Sequence, residues 1–234
     1  MTIVEARPTA SPVFQKSQRT AAAIFLVLGP LFMFISSAVA AAADAVAGTT
    51  DDGAVAASAL NLTTIGSILD WITVPTMLAW GVTLLLIARP WSRRLAWTGF
   101  VAMGLQLCAL ASVVGVELLR NVLVEQGTLS AAAARQVMDS GLTSNPAGVF
   151  LFIMFIPMEI VGLIVLGVAL WRTAWVPKWI AILFIAFPFI DFVANDTRWL
   201  SALAFALLLA GCAVLALKVL RDGAPRPVVP EHTV

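Results

Sequence analysis

The chain has 234 residues, 61% of them hydrophobic and 12% charged, with a mean hydropathy of +0.98. Soluble domains run about 45–50% apolar and about 25% charged, so this composition asks for lipid as its solvent. A net charge of +1 gives no field for nucleic acid, and the single histidine, His232, leaves no His or Cys/His cluster for catalysis, haem or metal.

A membrane span needs about 20 mostly apolar residues. Residues 1–20 form a basic tail with Arg7, Lys16 and Arg19, and the first apolar segment follows at about 21–42. Its end, SSAVAAAADA, resembles a secretory cleavage site. The long basic tail and generous apolar stretch favour a retained anchor, and cleavage would leave five spans. An Ala/Gly-rich loop with Asp44, Asp51 and Asp52 occupies 44–62.

The second segment, about 64–88, carries Asp70 and Pro75. Thr63, Ser67 and Asp70 follow i, i+4, i+7 spacing and form one polar stripe. A basic turn with Arg89, Arg93 and Arg94 leads to the third segment, about 95–119, which holds Gln106, Cys108 and Glu117. Gln106 and Glu117 are three helical turns apart and share a face. The loop over 121–147 contains a short helix that Ser130 would cap and Gly141 would end.

The fourth segment, about 148–171, contains Pro157 and Glu159, and a turn with Arg172 and Lys178 follows. The fifth, about 178–194, is short and holds Pro188 and Asp191. The sixth, about 199–219, repeats Ala202, Ala206 and Ala210 every four residues, a stripe suited to close packing within the chain or across a homodimer. A Pro-rich tail, 221–234, ends the chain, and 21–220 form one transmembrane domain. No segment alternates as a transmembrane strand does, so the fold is an all-α polytopic bundle. Cys108 and Cys212 both lie in apolar runs and read as small buried hydrophobes.

With six spans, the two tails and loops 2–3 and 4–5 share one side and hold eleven of the 14 basic residues. The other side holds Arg120, Arg135 and Arg198. The positive-inside rule places both ends in the cytoplasm. Trp91, Trp97, Trp171, Trp175 and Trp179 gather at the inner boundary and Trp199 at the outer one, as an aromatic belt. The hairpins around Arg89 and Arg172 resemble each other, as positive-inside hairpins generally do.

Ionisable residues inside spans mark function by default. Asp70, Glu117, Glu159 and Asp191 qualify, and none lies in the inner half of a span. Glu159 is close to mid-membrane, with no cation near it in sequence. Each acid also has a structural reading. Glu117 can pair with Arg120, Asp191 can belong to a wet loop with Asn195, Asp196 and Arg198, and an uncharged Glu159 can hydrogen-bond Gln106. Prolines 75, 157 and 188 each lie within five residues of an acid and loosen those helices.

The turn LGVALWRTAWVPKWIAILFIAF, residues 166–187, resembles bacterial multi-pass membrane proteins of a domain-of-unknown-function family. The resemblance implies a helical bundle in a bacterial inner membrane and carries over no activity. The residues themselves point to an acid-lined cavity open outward, binding or transporting a small cationic or amphiphilic molecule. Glu159, Asp70, Gln106, Glu117 and Asp191 are its candidates. A scaffold without chemistry and an enzyme acting on a lipid or isoprenoid are the alternatives. Binding is favoured over catalysis because no span carries paired acids such as DxxD or ExxE. No cofactor or metal motif is present.

Overall fold

The computed structural model describes residues 14–47, 53–128, 130, 133, 146–193 and 198–223. They form six helices: α1 (Lys16–Ala47), α2 (Gly53–Ala88), α3 (Arg93–Glu125), α4 (Pro146–Trp171), α5 (Lys178–Val193) and α6 (Arg198–Asp222). There is no strand among the described residues. Five helices are long and apolar enough to cross a membrane. The sixth, α5, has 16 residues. At 1.5 Å per residue it reaches about 24 Å, short of the roughly 30 Å hydrocarbon core.

The helices sit where the apolar runs predict, and the first three extend beyond them; α1 spans Lys16–Ala47 against the expected 21–42. α2 starts at Gly53 rather than near 64, because GAVAASAL is rich in alanine, the best helix former. Most of the expected 44–62 loop is therefore helix. α3 runs to Glu125, and Gly127, with φ of +67°, marks its end. Ser130 Oγ accepts the Ala133 N–H at 3.2 Å, the cap expected there, while Gly141 lies outside the described residues. So do Asp51, Asp52, Arg135 and His232.

The packing order follows the chain. α1 packs on α2, α2 on α3, α3 on α4, α4 on α5 and α5 on α6, and α6 returns to α1. The helices thus close a ring, with a few contacts between α2 and α4 across it. Its centre is filled. Trp80 of α2 is fully buried, stacks on Phe184 of α5 at 5.4 Å, and donates its indole N–H to Cys212 Sγ of α6 at 3.4 Å. Leu26, Leu84, Leu166, Ile180 and Leu215 pack around it.

Large apolar side chains also face outward on every helix, among them Phe25, Leu78, Val101, Phe150, Phe189 and Leu217. A helix apolar on all sides has lipid on its outer face. Trp97, Trp171, Trp179 and Trp199 are exposed near helix ends, which fits the aromatic belt. Lys178 lies over the Trp171 ring and Lys218 over the Trp175 ring, each at 5.5 Å.

One seam depends on two glycines. A Cβ on Gly99 of α3 would meet the Leu166 backbone N of α4 at 2.9 Å and the Gly162 O at 3.0 Å. A Cβ on Gly162 would meet the Met103 backbone N at 3.0 Å. The α3 and α4 backbones therefore approach closely at this point. Of the expected alanine stripe on α6, Ala202 is buried, Ala206 is half-buried and Ala210 is exposed. The stripe thus turns from the interior to the outside along the helix.

Candidate functional site

The most apolar span is that of α4, Gly148–Trp171, whose best 18-residue stretch has a mean hydropathy of 2.7. Glu159 is the single ionisable residue in that stretch. Eleven residues separate it from Gly148 and twelve from Trp171, which places it near the midplane. Pro157, inside the helix, cannot donate to the Ile153 carbonyl, so the backbone is loosened just on the N-terminal side of the acid.

Two small cavities meet at Glu159. One, of about 90 Å³, follows the seam of α4 and α5 and is lined by Phe155, Ile156, Glu159, Ile160, Pro188, Asp191 and Phe192. The other, of about 20 Å³, lies inside the ring among Met33, Met77, Met103, Gln106, Glu159, Leu163, Phe187, Phe205 and Leu208. Glu159 is the residue common to both linings. Gln106 is buried and reaches the inner cavity from α3. The structure therefore brings together Glu159, Asp191 and Gln106.

The other candidates lie elsewhere. Asp70 lines neither cavity. It belongs to the α1–α2 seam, where its Oδ1 accepts the Ser36 hydroxyl of α1 at 2.5 Å. Ser67, one turn away, is buried, and the Thr63 side chain lies outside the described residues. The backbone of Glu117 is helical, but its side chain is also outside them, so its expected pairing with Arg120 is too. Arg120 donates to Asn121 Oδ1 at 3.0 and 3.3 Å.

Asp191 accepts the hydroxyl of Ser201 from α6. This bond ties α5 to α6 and leaves Asp191 facing the α4–α5 cavity. Its expected loop partners Asn195 and Asp196, and the Arg198 side chain, lie outside the described residues.

Sequence reading found Glu159, Gln106 and Asp191 by depth and chemistry. It missed Ser36 and Ser201, because serine is unremarkable in a span until an acid from another helix faces it. It also missed the three methionines, which arrive from α1, α2 and α3 to surround one cavity. Met is a flexible gap-filler, and nothing in its spacing announces such convergence.

The arrangement has room for little. A water needs about 10–15 Å³ of such space, and drug-sized ligands use pockets of about 300 Å³ or more. The inner cavity admits about one water and the outer a few waters or one small cation. Carboxyl and amide oxygens are the polar groups on offer. No group of three His, Cys, Asp or Glu is poised for a metal among the described residues.

Comparison with protein-family models, with curated proteins and with solved structures returned no match. Helix length and hydropathy carry the assignment: the chain is a multi-pass helical membrane protein.

Proposed function

We propose that this is a six-span protein of a bacterial inner membrane, with both ends in the cytoplasm, that binds a small cation at Glu159 and exchanges it for a proton. The observation carrying this reading is that Glu159 stands between two cavities, one shared with Asp191 on the α4–α5 seam and one shared with Gln106 inside the ring. A carboxyl group at the midplane is costly, and such groups mark ion and proton routes. Asp191 lies near the end of α5 that the basic-residue bias assigns to the outside, so the seam is the outward approach. The cavity volumes narrow the ligand from amphiphiles to small cations.

Purified protein in proteoliposomes with a pH-sensitive dye inside tests it. Gradients of sodium, potassium or ammonium should drive proton movement for at least one cation. Glu159→Gln should abolish that movement and Glu159→Asp should retain part of it. Flux unchanged by Glu159→Gln sinks the mechanism.

A second reading draws on the same pair of acids. Carboxyl groups opposite one another on a lipid-facing seam could serve as general acid and base toward a lipid or isoprenoid. An altered lipid profile in a deletion strain would favour it. The filled centre around Trp80 is what a scaffold would also have, and a chain inert in both assays is that scaffold.

A further inference from the structure

A second site lies at the opposite end of the bundle from Asp191. α1 and α6 leave between them a groove of about 460 Å³. Ala23 and Ala216 form its buried floor, Ile24 and Leu217 are exposed along it, and Thr20 is its polar residue. The groove runs along both helices, from Thr20 to Leu28 on α1, about 12 Å of rise. An apolar slot of this direction parallels the acyl chains of one leaflet.

Its mouth is basic. Arg19, adjacent to Thr20, crosses to the end of α6, where a Cβ on Gly223 would meet its guanidinium at 2.6–2.7 Å. Gly223 has φ of +74°, which suits glycine alone, so the backbone there leaves the space that Arg19 fills. Arg19 Nε is buried and has no hydrogen-bond partner among the described residues. A buried charged donor without an acceptor costs more than a made bond returns. Lys16 lies one turn from Thr20 on the same face of α1 and is exposed. Arg221, beside the groove residue Leu220, is exposed and paired with Asp222 at 2.8 Å.

We propose that this groove holds one acyl chain of an anionic phospholipid from the leaflet at the α1 N-terminus, with its phosphate on Arg19 and Lys16. The slot supplies hydrocarbon contact. The planar guanidinium, half-buried beside Gly223, supplies the phosphate contact through its outer N–H groups. Basic residues between spans at the cytoplasmic surface recognise anionic headgroups in this way. The site is separate from Glu159 and stands whether or not that residue carries ions.

Native mass spectrometry of the full chain in detergent tests the proposal. It is titrated with phosphatidylglycerol and with phosphatidylcholine of the same acyl chains. The wild type should bind phosphatidylglycerol about fivefold more tightly, or better. Arg19→Gln should bring the two lipids within about twofold while leaving phosphatidylcholine binding unchanged. Lys16→Gln, which removes the second phosphate contact and leaves Arg19 in place, should cut the preference in part and serves if Arg19→Gln does not fold; an unchanged preference there overturns the proposal. Ala216→Phe, filling the floor, should weaken both lipids. Equal binding of the two lipids by the wild type overturns the proposal. So does a dimer that replaces lipid adducts and is lost in Ala216→Phe, since a second copy would then fill the groove.

Discussion

Ser36 on α1 donates its hydroxyl to Asp70 on α2 at 2.5 Å, so the first helix holds the acid that has no basic residue near it in sequence. Hydrogen bonds between membrane helices are worth about 0.6 kcal/mol on average. Ser36→Ala should therefore lower Tm in detergent by about 1–2 °C. Asp70→Ala should cost more, because Asp70 has further interactions. Differential scanning fluorimetry reads both, and equal Tm values for Ser36→Ala and wild type would remove the contact from the stability account.

The α3–α4 seam makes a sharper prediction. Gly99→Ala must push against the Leu166 N and Gly162 O, whereas a Cβ on Gly104 of the same helix meets nothing within 4 Å. Overpacking of this kind costs about 1–3 kcal/mol. Gly99→Ala should lower Tm by roughly 3–10 °C and Gly104→Ala should leave it unchanged or raise it slightly.

The two thiols should react differently. Cys212 is fully buried beneath Trp80, as its apolar run predicts, but Cys108, expected to be buried too, is exposed on the outer face of α3. A charged maleimide should label neither in intact membranes. A membrane-permeant one should label Cys108 within minutes and Cys212 only after denaturation. Labelling of Cys212 in the native state would contradict the filled centre of the ring.

Span count is open to a direct measurement. In a background lacking both native cysteines, Ser92→Cys and Ala174→Cys, in the turns proposed to face the cytoplasm, should be protected from an impermeant thiol reagent in intact cells. Thr128→Cys should be labelled. The decisive comparison is between positions on either side of α5. If its 16 residues do not cross, residues before Lys178 and after Val193 report from one side.

The six helices are legible in the sequence because apolar runs mark them, and in five the run is long enough to cross the hydrocarbon; GVFLFIMFIPMEIVGLIVLGVALW has no other use in this setting. Glu159 and Gln106, read from sequence as possible hydrogen-bond partners, line one cavity. Lateral neighbours were not legible. Spacing along one helix shows what shares its face but not which helix comes alongside. Ser36, Ser201 and the methionines, all partners from other helices, appear only once the ring is closed. Gly99 and Gly162 escaped for the same reason: nothing in their own segments sets them apart from the other glycines there, and their meaning lies in facing each other.

The ring also brings the ends of the described chain together. The Phe14 N–H donates to the Gly223 carbonyl at 3.4 Å, and α6 lies along α1 as fully as sequence neighbours lie along each other. A covalent link across that gap would need only a few residues. Opening the chain instead at the turn after Ala88 would give a circular permutant that begins with α3 and ends with α2. With the six crossings proposed above, every helix would keep its original direction. All six seams survive such a rearrangement. The order in which the gene lists these helices is then one of several equivalent cuts through a cycle.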